Sequence, residues 1–85
     1  IYLFTNGYSA YSGYNYTEER RLQYNELFKQ LANEYQNVRV FDLANIITKD
    51  NYSLYLGDSL HYNATGMTFI ATNFVKQLKE DFNIN

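Results

Sequence analysis

The sequence has no cysteine and a single histidine, His61. The first absence excludes disulfide stapling and thiolate zinc sites. The second argues against a histidine-rich metal site. We therefore expect neither metal nor cofactor. Lysine and arginine nowhere cluster beyond the Arg20-Arg21 pair, and the net charge is −2. Nucleic-acid binding thus lacks its electrostatic footprint. No apolar run approaches the ~18 residues that span a membrane. The opening Ile1-Tyr2-Leu3-Phe4-Thr5 has no methionine, no charged start and no apolar stretch of signal-peptide length. It reads as a chain that begins mid-protein. Lack of cysteine leaves the compartment open, leaning toward secretion or the cell surface.

With 85 residues the chain is one small domain or a piece of a larger one. A chain of this size buries about 60–65% of its unfolded surface, so its core is marginal without staples or a partner. The ten tyrosines and six phenylalanines are many for this length. Tyr8, Tyr11, Tyr14, Tyr16 and Tyr24 fall in or near one stretch. Such loops line carbohydrate sites or packed surfaces, and composition does not choose between them.

Residues 1–5 form a short apolar run that ends at the turn dipeptide Asn6-Gly7, which predicts a buried strand. Residues 6–16 carry two glycines and no periodicity, which predicts a loop. Thr17, followed by Glu18 and Glu19, has the form of a helix N-cap with acids in the first turn. Tyr24, Leu27, Phe28, Leu31 and Tyr35 then recur at spacings of three and four. They predict one apolar face of a helix of about 18 residues, ended at Asn37. Val38-Arg39-Val40-Phe41-Asp42-Leu43 predicts a second strand, and residues 43–48 a short helical turn. Residues 49–62 have no firm period. Asn63-Ala64-Thr65-Gly66 opens the last helix, with Met67, Ile70, Ala71, Phe74, Val75, Leu78 and Phe82 as its apolar face. Strands alternating with helices imply an α/β fold with a parallel sheet. Two strands make no viable parallel sheet alone, so the rest of the sheet is expected upstream.

His61 stands before the last helix, three residues after Asp58. An imidazole, with an ordinary pKa near ~6.5, is suited to taking a proton from a serine hydroxyl. A carboxylate on its Nδ1 side fixes the tautomer and stabilises the imidazolium. In a tight turn this spacing lets Asp58 reach Nδ1 and leaves Nε2 for a nucleophile. The alternative is plain turn chemistry at Asp58 and a surface or capping role for His61.

Tyr55-Leu56-Gly57-Asp58-Ser59-Leu60-His61-Tyr62-Asn63-Ala64-Thr65-Gly66-Met67 resembles the last block of the SGNH hydrolases, the GDSL-type lipases and esterases. In that block Asp-x-x-His is followed by a glycine and the C-terminal helix. Asp58 and His61 match the acid and base, and Gly66 the glycine at the helix start. The upstream order of strand, loop, helix around Asn25-Glu26-Leu27, and strand 38–43 fits the same family. The resemblance spans essentially all of residues 1–85, as the C-terminal part of a single domain. It implies a flavodoxin-like α/β/α sandwich, a Ser-His-Asp triad, no cofactor, and a lipid, carbohydrate or small-molecule ester as substrate. The N-terminal part of the domain, with its nucleophile, is then missing and is the expected partner of this segment.

Residues 57–60 spell Gly-Asp-Ser-Leu, the string that names the family. In the family that string follows the first strand and its serine is the nucleophile. Here Ser59 would lie between its own acid and base in one turn, so we read it as a loop serine. Gly7-Tyr8-Ser9-Ala10-Tyr11 begins like a nucleophile elbow, but Tyr11 replaces the second glycine. Ser9 therefore reads as a loop residue, and Ser12-Gly13 has no motif around it. Asn6 and Asn45 lack the context of an oxyanion-hole asparagine. Asn-x-Ser/Thr triplets begin at Asn15, Asn51 and Asn63, and Asn63 reads better as a helix cap.

Two functions follow. One is a serine ester hydrolase to which this segment supplies Asp58 and His61. The other is a non-catalytic binding or interaction module, or an inactive fragment, whose surface is the Tyr-rich loop.

Overall fold

Short strands flank a long helix at the N-terminal end of the computed structural model, which describes residues 1–11, 13, 16–58 and 60–84. Strand β1 (Tyr2–Phe4) and strand β2 (Arg39–Phe41) run parallel, with Leu3 opposite Val40. The pairing extends past both ends: Arg39 N–H donates to Ile1 O and Thr5 N–H to Phe41 O. Parallel neighbours need a crossover, and helix α1 (Glu18–Glu34) provides it. Helices α2 (Leu43–Ile46), α3 (Tyr52–Tyr55) and α4 (Ala64–Asp81) follow. The molecule is thus a small α/β structure with a two-strand parallel sheet and four helices among the described residues.

The caps act where the sequence places them. The Thr17 hydroxyl accepts the Arg20 N–H at 3.1 Å, and the Asn63 carboxamide accepts the Gly66 N–H at 2.7 Å. Each satisfies a donor that the first turn of a helix leaves open. The predicted turn at 43–48 is α2. Helix α3 lies in the stretch without a firm period. It is a single turn, too short to show one.

The core is Phe41, Leu43, Ile47 and Leu56, edged by Tyr2, Ile46, Tyr62 and aromatics of α3 and α4. Tyr2, Phe4 and Phe41 project to one side of the sheet and meet Phe74 of α4, with ring centroids 5.0–5.4 Å apart. Of the predicted face of α4, Ile70, Phe74 and Leu78 are half-buried, whereas Met67, Val75 and Phe82 are exposed.

Helix α1 departs further from its sequence pattern. Its apolar stripe of Tyr24, Leu27, Leu31 and Tyr35 is 40–55% exposed, and only Phe28 of that stripe is half-buried. The buried side chains are instead Arg21 and Asn25. Both are drawn inward by the backbone of Asn6. Asn25 Oδ1 accepts the Asn6 N–H (2.7 Å), while Asn25 Nδ2 and Arg21 Nη1 donate to Asn6 O (3.0 and 2.7 Å). Glu18 completes the set as the ion-pair partner of Arg21. The sheet is two strands wide and leaves the stripe uncovered. The Cα radius of gyration, 13.7 Å, exceeds the ~12 Å of a compact chain of this length.

Candidate active site

The segment between α3 and α4 is clamped at both ends before it makes its turn. Leu56 and Tyr62 form an antiparallel bridge, and Gly57 N–H donates to His61 O at 2.8 Å. On the α4 side, Asn63 N–H donates to Tyr55 O and Asn63 Nδ2 to Leu54 O. Gly66 tightens the same join. A Cβ there would run into the Tyr55 carbonyl oxygen and sit 3.0 Å from the carbonyl carbon. No side chain fits, so the first turn of α4 rests directly on α3.

Inside this frame Asp58 does two things at once. Its Oδ1 accepts the backbone N–H groups of Leu60 (2.7 Å) and His61 (2.6 Å), an Asx-type turn. Its Oδ2 lies 3.0 Å from Nδ1 of His61. The structure therefore brings together the two residues singled out in the sequence, in the orientation their spacing predicts. The His61 backbone N–H, then its ring, then the Leu60 N–H hold the Asp58 carboxyl far below the usual carboxylate range. At neutral pH Asp58 is ionised and can only accept. The proton of neutral His61 then resides on Nδ1, and the lone pair of Nε2 points away from the pair.

Both side chains are open to solvent, His61 at 77% and Asp58 at 61%. No hydrogen bond joins Nε2 to a described residue. The pair can accept and return a proton, but nothing among the described residues is poised to give one. Ser59, read above as a loop serine, and Ser12, which has no motif around it, lie outside the described residues, as do Tyr14 and the triplet asparagine Asn15. Ser9 Oγ accepts the Tyr11 N–H at 3.1 Å, a local loop contact. Among the described residues there is no group of three or more potential metal ligands and no helix long and apolar enough to cross a membrane.

Two neighbours of the turn escaped the sequence reading. Gly7 is buried, and a Cβ there would lie 2.9 Å from Ile47 Cβ and 3.2 Å from the Tyr62 hydroxyl. The backbone at Gly7 thus passes close to both Ile47 and Tyr62, and the turn expected at Asn6-Gly7 does not form: the chain runs on through the segment with its Tyr8 N–H on Ile47 O. Tyr62 is half-buried, and burial raises the pKa of its phenol. Nothing in the sequence signals this packing of Gly7.

Comparisons with protein-family models, with curated proteins and with solved structures found no match to this chain.

Proposed function

We propose that this chain supplies the acid and base of a serine ester hydrolase of SGNH type. The observation that carries the reading is the Asp58 Oδ2 to His61 Nδ1 contact of 3.0 Å, with Nε2 turned outward. In this scheme a serine from a segment N-terminal to Ile1 attacks the ester carbonyl. His61 Nε2 takes the serine proton as the bond forms and gives it to the leaving alcohol as the tetrahedral intermediate collapses. Asp58 holds the ring and balances the imidazolium charge. Donors that steady the oxyanion come from the same missing segment.

The complete domain is then a flavodoxin-like α/β/α sandwich. The uncovered stripe of α1 and the two-strand width of the sheet support this, since parallel sheets are covered on both faces. The test uses the gene product that contains this chain. Turnover of p-nitrophenyl acetate should collapse in His61→Ala, and unchanged turnover would sink the assignment.

The exposure of both side chains favours a second reading, a binding module whose Asp58 only shapes its turn. A gene product without a Gly-Asp-Ser block ahead of Ile1 would decide for it.

A further inference from the structure

The two edges of the sheet are unlike. On β2 the outward carbonyl of Val40 accepts Gln77 Nε2 of α4 at 2.9 Å, and Val38 N–H donates to Tyr35 O. On β1 the ladder turns Ile1, Leu3 and Thr5 toward β2, which leaves the N–H and C=O groups of Tyr2 and Phe4 facing outward. No backbone bond to a described residue engages them. Strand edges are commonly guarded by proline, lysine or a bulge. Strand β1 is Tyr-Leu-Phe, without proline or lysine, and Phe4 is 40% exposed.

The uncovered stripe of α1 stands over this same edge. Leu27 and Leu31 each lie two residues from Lys29, which is about 160° round the helix. Lys29 Nζ is 3.8 Å from the carboxylate of Asp42, directly after β2. The flank of Leu27 and Leu31 therefore faces the other way, past β1. Tyr24 agrees, since it shares a cavity wall with Asn6 and Tyr11 of the chain that follows β1.

An occupant has to meet both features at once. An extended peptide would pair with the edge and leave the stripe bare. A lone amphipathic helix would cover the stripe and leave the edge open. A second copy brings a strand edge and an apolar flank in the same arrangement. We propose that residues 1–85 form a two-fold dimer through β1. The two β1 strands run antiparallel about Leu3, so Tyr2 exchanges both backbone bonds with Phe4 of the second copy. The two α1 helices then lie antiparallel on one face of a continuous sheet, Leu27 beside Leu31 and Tyr24 beside Tyr35 of the second copy. The flank carries Arg20 toward one end and Glu34 toward the other, so the facing ends have opposite charge. The inference does not rest on the hydrolase reading, which gives this edge to upstream chain; on residues 1–85 the second copy takes it.

Sedimentation equilibrium of the 85-residue chain, together with amide exchange by NMR, tests this. The chain should dimerise with a Kd of about 100 µM. The Tyr2 and Phe4 amides should be protected at about 1 mM chain and exchange freely at about 20 µM. Leu27→Lys changes a side chain that is exposed in the single chain, and it should weaken the dimer about thirtyfold. Leu54→Lys, at an exposed position of α3, should leave the dimer unchanged. The inference is overturned if the chain stays monomeric at about 1 mM, or if it associates while the Tyr2 and Phe4 amides stay open. It is also overturned if Leu27→Lys associates like the wild type, or if Leu54→Lys disrupts the dimer equally. The wild-type amides decide the case without any variant.

Discussion

Asp58 holds His61 at two points: one carboxylate oxygen accepts the histidine's backbone N–H at 2.6 Å, the other lies 3.0 Å from its Nδ1. The backbone bond fixes where the ring starts, and the side-chain bond fixes which nitrogen bears the proton. Four consecutive positions thereby place a carboxylate on an imidazole without help from distant parts of the fold.

Asp58→Asn tests this double hold. An asparagine can keep the backbone bonds through its carbonyl oxygen, but it presents an N–H2 toward Nδ1. The proton of neutral His61 should move from Nδ1 to Nε2, which long-range 15N–1H NMR reads directly. In the gene product, kcat should fall by roughly 10^3- to 10^4-fold, as for a wrong tautomer.

The depressed pKa of Asp58 fixes a pH window for the turn. Its folded value lies below its unfolded one, so the stabilisation is complete above the ordinary carboxylate range near ~4. It is lost as pH falls through the lower, folded value. The His61 and Leu60 amides should therefore stay protected from exchange from neutral pH down to about 4 and open progressively below. In Asp58→Asn that acid-dependent step should be absent.

Gly66→Ala forces a methyl group against the Tyr55 carbonyl. The variant should lose about 1–3 kcal/mol in denaturant unfolding. An exposed helix position offers the control: Ala71→Gly should cost about 1 kcal/mol. A stable Gly66→Ala with unshifted Tyr55 and Gly57 amides would mean that α4 does not seat on α3 as described.

Asn63 and Asn51 both spend their carboxamides inside the fold. Asn63 joins Gly66 N–H to Leu54 O, and Asn51 joins Thr48 N–H to Ile46 O. Asn63→Ala should cost about 1–2 kcal/mol and Asn63→Asp less, since aspartate keeps the capping oxygen but loses the donor to Leu54 O. Neither asparagine should carry glycan when the folded chain meets a glycosylating extract, read by intact mass.

Much of this site is legible in the sequence because its determinants are local. Caps at Thr17 and Asn63, the glycine at 66 and the spacing of Asp58 to His61 act within one or two turns of chain. The inner face of α1 is not legible. Apolar periodicity marks Tyr24, Leu27 and Leu31, yet Arg21 and Asn25 turn inward because the distant Asn6 backbone needs partners. The packing of Gly7 against Ile47 and Tyr62 is hidden for the same reason. Helix α3 escapes because four residues cannot display a 3.6-residue period.

The most direct measurement is labelling of the gene product with a fluorophosphonate, followed by peptide mapping. The account predicts one labelled serine, outside residues 1–85, and loss of the label in His61→Ala. Label on Ser59, or on any serine whose reactivity survives His61→Ala, would contradict it.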